Sequence, residues 1–205
     1  MTKRFTDLTL EEYLNELASD KPVPGGGSVS AYVASLAMGL IQMVGRISLK
    51  RKIKAGLSAE EIKKEEMNRE TIKKIIESIE KTKRDSFQIV NLDPQVYQQV
   101  LEASGNAEKM EDALKNSFRL QADLAFLVAM AHEWNQSMAG LVKGSIKNDL
   151  LVAASLLEAA FHGAYHTAMI NVKYMQDGSE KDKSEKALEA LKKRYEEGNV
   201  SVSRS

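Results

Sequence analysis

Cysteine is absent from the chain. That excludes disulfides and thiolate metal sites and fits a reducing cytoplasm, the expected location. An excess of either charge is missing too: 29 basic residues balance 29 acidic ones. Without a basic excess, nucleic-acid partners are not expected. Only three prolines occur, and two of them, Pro22 and Pro24, share one loop. Alternating β-branched stretches are nearly absent, which leaves sheet folds without support. The N-terminus is amphipathic and acidic, unlike a signal peptide. The two most apolar windows, residues 29–47 and 150–170, are rich in Ala, Gly and Ser and broken by polar residues, so no membrane span is expected.

What is present is apolar residues three and four apart over most of the 205 positions. The pattern predicts an all-α fold, a bundle of long antiparallel helices forming one domain over residues 1–198, with a disordered tail at 199–205. Helices are expected at residues 10–18 (capped by Thr9), 28–49, 58–91, 106–141, 149–176 and 185–197. Pro94, in "NLDPQ", is expected to interrupt or end the third of these, because the residue before a proline disfavours helix. The helix over 28–49 is apolar round most of its circumference, so it is either central or packed on a second subunit. Ala31, Ala34, Ala37, Gly39 and Gly45 allow other helices close to it.

That helix is preceded by "PVPGGGSVSA". Glycine triplets supply positive φ angles and room for a group to approach the backbone. Before a helix, they leave free N–H groups and the positive end of the dipole facing an incoming anion. Gly25, Gly26 and Gly27 are therefore candidate ligand-binding residues, and Ser28 can either cap the helix or bind the ligand. The competing reading is a flexible linker, against which Pro22 and Pro24 stiffen the entry. No Walker lysine follows and no strand precedes, so a nucleotide fold is not indicated.

"PVPGGGSVSA" followed by "MVGRISLKRK" resembles the start of the formiminotetrahydrofolate cyclodeaminase / methenyltetrahydrofolate cyclohydrolase family. A second similarity lies in "NDLLVAASLLEAAFHGAYHTAMINVKYMQD". The resemblance implies an all-helical homodimer acting on a tetrahydrofolate derivative. It would turn 5-formiminotetrahydrofolate into 5,10-methenyltetrahydrofolate and ammonia, or hydrolyse the methenyl form. No cofactor is implied beyond the folate itself. Either reaction needs a proton-transfer group with a pKa near neutrality.

The family's expected aspartate falls here at Thr82 or Lys83, within "IESIEKTKRDSFQ". Asp85, one turn away, is the candidate replacement, with Glu80 behind it; a solvated charged face is the competing reading. Asp149 matches a family aspartate and is the second candidate catalytic residue, although it also suits an N-terminal cap. Asn171 matches a family asparagine and is a candidate substrate contact, while Thr167 stands where another asparagine is usual. Asp149 and Asn171 are 22 residues apart on one helix, roughly 33 Å if it is straight. They must serve different ends of a long ligand, or two subunits must share a cleft.

Lys50, Arg51 and Lys52, with Lys54, are candidate partners for folate carboxylates; as structure, they complement a helix C-terminus. Glu158, His162 and His166 lie four apart on one face and, with His132 and Glu133, form the rival metal-binding signal; the expectation is no metal. Trp134, Tyr32 and Tyr165 can stack on a pterin or simply pack. Two other functions stay open: a non-catalytic folate-binding or assembly protein on the same scaffold, and a metal-dependent helical enzyme.

Overall fold

The computed structural model describes residues 4–200. Among these are a 3-10 turn, Phe5–Asp7, and six α-helices, with no strand. They are α1 (Leu10–Leu17), α2 (Gly26–Lys50), α3 (Ala59–Glu102), α4 (Ala107–Leu141), α5 (Lys147–Tyr174) and α6 (Ser179–Val200). The expected bundle of long antiparallel helices is what forms. Thr9 caps α1 and Ser58 caps α3, each in a reciprocal capping box with a glutamate three residues on. Asn106 caps α4 through its side chain.

α2 is the centre of the bundle, packed against α3 and α5 and touching α4. By length and composition it could cross a membrane, but 61% of its most apolar window is buried inside the protein. That is the burial of a core helix. Met38 and Ile41 on α2 meet Ile79, Leu124, Met138 and Phe161 from the other long helices in one cluster. Each such side chain contributes about 1.5–3 kcal/mol on burial. Ala31, Ala34 and Ala37 are fully buried, and at Gly45 a Cβ would press on Met138 and Ile76, so these four admit close neighbours; Gly39, expected to do the same, instead faces open space, with nothing within 4 Å of where its Cβ would lie. α6 covers the far side, resting on α4 and α5, with Leu188 in a second small core.

Two helices differ from expectation by more than two residues at a boundary. α6 begins at Ser179 and continues to Val200, so Asn199 and Val200 are helical; residues 201–205 of the expected tail lie outside the described residues. The larger difference is α3, which runs unbroken for 44 residues with Pro94 inside it. An interior proline removes one N–H and leaves the carbonyl four residues back without its helical partner, a cost of about 3 kcal/mol or more. Here that carbonyl belongs to Val90, and the Ser28 hydroxyl donates to it at 2.9 Å. A side chain from α2 thus replaces the missing backbone donor, and α3 need not stop.

This predicts a coupled pair of substitutions. Ser28→Ala should destabilise the protein by about 1–3 kcal/mol, because the Val90 carbonyl loses its partner in a buried place. In a Pro94→Ala background the cost should be smaller, since the new alanine can donate its own N–H to the Val90 carbonyl. Urea denaturation of the four proteins measures the coupling, and additive effects would contradict it.

Candidate functional site

α2 opens without a side-chain cap: Gly25 is the N-cap, with φ −109° and ψ −165°. The N–H groups of its first turn therefore need an outside acceptor. Asp93, from the middle of α3, supplies one. Its Oδ2 accepts from the Ser28 N–H at 2.9 Å, and its Oδ1 accepts from Gln121 Nε2 of α4 at 2.7 Å. The Ser28 hydroxyl is already engaged with Val90 and lies 3.4 Å from the Tyr13 hydroxyl.

The glycines are explained by space. None of the three has a positive φ, contrary to the expectation for such a triplet. At Gly27, a Cβ would run into both Gln121 Nε2 and the Asp93 carboxylate. At Gly26 it would meet only Thr167 Oγ1, at 3.9 Å. Gly27 is therefore glycine because Asp93 and Gln121 stand against the backbone, whereas Gly25 and Gly26 border open space.

That space is a cavity of about 350 Å³ lined by Gly25, Gly26, Gly27, Asp93, Tyr97, Thr167, Asn171 and Tyr174, among others. It lies at the low end of ligand-pocket sizes, roughly 300–1,000 Å³. Asp93 is only 7% exposed. Burial pushes its carboxyl pKa up, while the hydrogen bonds from Ser28 and Gln121 pull it down; burial is the larger effect. Asn171 is buried and donates Nδ2 to the Thr167 carbonyl at 2.8 Å.

The candidates read from the sequence divide between two places. Gly25, Gly26, Gly27, Ser28 and Asn171 come together at this cavity. Lys50, Arg51 and Lys52 stand at the opposite end of α2, roughly 36 Å away along its axis. There Arg51, Lys52 and Lys54 line a second cavity with Arg69 and Lys143. Arg51 donates to the Lys143 carbonyl, and Arg69 donates to the carbonyls of Leu49 and Arg51, satisfying the end of α2. Asp149 sits in the first turn of α5, and does not line the glycine cavity.

Asp85 is not among the residues lining the cavity either; it lies two turns before Asp93 on α3, roughly 12 Å along the axis. Thr82 is buried with its hydroxyl on the Ser78 carbonyl, and Lys83 bonds Gln42 and Glu80. The aspartate that reaches the glycines is Asp93, which sequence reasoning passed over because Pro94 was read as a helix end. The overlooked signal is that apolar spacing continues through the proline, from Ile89 to Val96 and Val100. Gln121, Tyr97 and Tyr174 were also missed.

No group of three or more His, Asp and Glu side chains among the described residues is placed to hold a metal. His162 and His166 are exposed on α5 with ring centroids 6.3 Å apart, and His132 contacts Gln136 and the Tyr195 ring. Tyr32 packs between Tyr13 and Phe87, Tyr165 stacks on Phe161, and Trp134 packs on the core. None of the three lines the glycine cavity, so the aromatic groups at hand there are Tyr97 and Tyr174.

A family profile described as formiminotransferase-cyclodeaminase matches residues 9–190. The formimidoyltransferase-cyclodeaminase of Mus musculus is 26% identical over 196 residues, covering 90% of this chain and 34% of that protein. The protein of the same name from Gallus gallus is 26% identical over 206 residues, covering 94% of this chain and 36% of its own length. The chain thus spans about a third of the length of these relatives. Among solved structures, a formiminotetrahydrofolate cyclodeaminase from Thermotoga maritima superposes with a TM-score of 0.84 at 24% identity, covering 94% of this chain and 92% of that one. At that identity the likeness concerns the fold.

The different surroundings of the glycines predict opposite outcomes. Gly27→Ala should cost about 1–3 kcal/mol, as overpacking does, by displacing Asp93 and Gln121. Gly26→Ala should be neutral or stabilise by up to about 1 kcal/mol, since alanine is the better helix former. Chemical denaturation of the two variants makes the comparison; equal effects would refute the packing explanation of Gly27.

Proposed function

The chain belongs to the formiminotransferase-cyclodeaminase family, and from that premise we propose that it acts in folate one-carbon metabolism, with the glycine-led cavity as its reaction site. The substrate would be 5-formiminotetrahydrofolate, and the products 5,10-methenyltetrahydrofolate and ammonia. The observation that carries this is a buried carboxyl, Asp93, held between the first turn of α2 and Gln121 at the wall of a cavity.

The chemistry asks one group to take a proton and return it. N10 of the folate forms a bond to the formimino carbon, and its proton passes to the Asp93 carboxylate. The resulting carboxylic acid gives a proton to the departing nitrogen as the old C–N bond breaks, and ammonia leaves. A carboxyl with an ordinary pKa would hold a proton too rarely near neutrality; burial in this cavity moves Asp93 in the useful direction. Gln121 suits both states. Its Nε2 donates to the carboxylate, and its Oε1, buried without a partner among the described residues, can accept from the acid once the amide turns over. Hydrolysis of the methenyl form would use the same carboxyl to accept a proton from the attacking water. Tyr97 and Tyr174 flank the cavity and offer faces to a pterin ring. The cavity's volume suits the ring system, with the rest of the folate running outward. Asp85 and Asp149 are not given roles in these steps. A homodimer is part of the proposal.

The test follows the methenyltetrahydrofolate absorbance with 5-formiminotetrahydrofolate as substrate. Asp93→Asn should lower turnover by about 10²–10⁴-fold, and Asp85→Asn should leave it within about twofold of wild type. Loss in Asp85→Asn with activity retained in Asp93→Asn would overturn the assignment. Stability gives an independent check. The raised pKa means the native protein keeps this proton to higher pH than the unfolded chain does. Its contribution is thus fully present below the unfolded carboxyl pKa and is lost as pH rises through the native one. Asp93→Asn removes that loss, so its melting temperature should gain on wild type as pH is raised from 4 to 8. A gap that narrows would contradict the burial argument.

A further inference from the structure

α2 and α5 run antiparallel past the glycine cavity, and each carries a glycine followed four residues later by a hydroxyl. On α2 the Ser30 hydroxyl donates to the Gly26 carbonyl at 2.7 Å, and on α5 the Thr167 hydroxyl donates to the Gly163 carbonyl at 2.8 Å. Because the helices are antiparallel, each level pairs the glycine of one with the hydroxyl residue of the other. At the first level Ser30 meets Gly163 and the contact is closed: a Cβ on Gly163 would run into the Ser30 hydroxyl. At the second level Thr167 meets Gly26 and a gap opens. A Cβ on Gly26 would still lie 3.9 Å from Thr167 Oγ1, and both residues line the cavity. The helices thus touch one turn before the cavity and part where it begins, which sets Thr167 across the gap from the glycines.

The hydrogen bonds along α5 decide what that wall presents. A threonine hydroxyl has one proton and two lone pairs. The Thr167 proton is committed to the Gly163 carbonyl four residues back, a bond that threonine makes readily within a helix. Its oxygen therefore meets the cavity as an acceptor. Asn171 lies one turn further along the same face and is oriented by the same device. Its Nδ2 donates to the Thr167 carbonyl at 2.8 Å. A carbonyl accepts only from the nitrogen end of an amide, so Oδ1 is the end left with no protein donor among the described residues. Asn171 is 8% exposed and lines the cavity. Thr167 Oγ1 and Asn171 Oδ1 are thus two acceptors one helical turn apart on one wall. Asp93 stands against Gly27, the next residue of α2 after Gly26. Consecutive residues of a helix point about 100° apart, so the carboxyl and the acceptor pair occupy different sides of the cavity.

We propose that Thr167, with Asn171 beside it, is the specificity residue of this cavity: the α5 wall takes a ring edge that carries adjacent N–H donors and rejects the same ring with a carbonyl oxygen in their place. A ligand that brings no donor leaves both acceptors without a partner in a largely buried place, and one that brings a carbonyl sets oxygen against oxygen. The 2-amino group and N3–H of a pterin form an edge of the required kind. Naming the ring as a pterin rests on the function proposed above, whereas the requirement for a donor edge does not. With that edge on α5, the second ring of the pterin, which holds N5, extends toward Asp93. Thr167 then selects and orients the ring and takes no part in the proton transfer. The closed contact between Ser30 and Gly163 holds it at its distance from Gly26.

Pterin and lumazine, which has a 2-oxo group in place of the 2-amino group, differ at this edge, and each can be titrated by its own fluorescence. Wild type should bind pterin at least about 10-fold more tightly than lumazine. Thr167→Val keeps the shape of the side chain and removes its oxygen; it should weaken pterin about 10-fold and bring the two rings within about threefold of each other. Thr167→Ser keeps the oxygen and should retain the wild-type preference. A Thr167 that only supports the fold would weaken both rings alike. That result, equal affinities in wild type, a preference that survives Thr167→Val, or binding of neither ring would each overturn the proposal. Turnover of 5-formiminotetrahydrofolate separates the two readings. There Thr167→Val should raise KM about 10-fold and leave kcat within about twofold, the sign of binding lost equally in ground and transition states. The expected ring preference with no turnover by wild type would keep the amino-edge reading and remove the folate reaction. Turnover by wild type without the preference would remove the amino-edge reading alone.

Discussion

Ser28 is the residue on which the site depends. Its N–H binds the Asp93 carboxylate and its hydroxyl binds the Val90 carbonyl. Those two bonds answer two separate deficits. α2 begins with glycine and has no cap of its own, and α3 contains a proline that leaves a carbonyl bare. Each helix supplies what the other lacks. α3 can therefore continue past Pro94 and carry Asp93 to the start of α2, and α2 can begin at Gly26 with its first turn satisfied. Without the exchange, both helix segments that define the cavity would have reason to fray.

The same geometry sets Asp93 between opposing demands. A carboxylate at a helix N-terminus favours its charged form through the dipole and the N–H groups. Burial favours the neutral form. One backbone N–H and one amide reach the carboxyl while a cavity opens beside it, and burial is the larger effect. A cap alone would call for full ionisation, and a core position alone would call for an apolar residue. The proposed reaction would have this carboxyl change its protonation state, and Gln121, able to present either end of its amide, would keep both states partnered.

The sequence carried the fold because fold class rests on periodicity, and α2, α4 and α5 keep theirs over whole lengths. Thr9, Ser58 and Asn106 could be placed as helix starts because capping is decided within four residues. The glycines could be recognised as a close approach, but what approached could not, since Asp93 and Gln121 come from 65 and 93 residues further along than Ser28, respectively. Pro94 misled for a physical reason: its local penalty is real and is offset by a serine on another helix, which no local rule contains. Asp85 was selected by proximity to the position where an aspartate was wanted; two turns of helix and a different facing direction separate it from the cavity. The candidates that the fold brings together, Gly25 to Ser28 and Asn171, are those whose neighbours lie one helix away.

The division of polar groups between the two ends of α2 has a simple origin. A 25-residue helix is longer than most small ligands, so groups at its ends cannot share one within a single chain. Antiparallel helices worsen this, because the C-terminal end of α5 comes back to the glycines and its N-terminal end goes with the basic run. That places Asn171 near Gly26, and the loop leading into α5, at Gly144, near Arg51, the pattern seen.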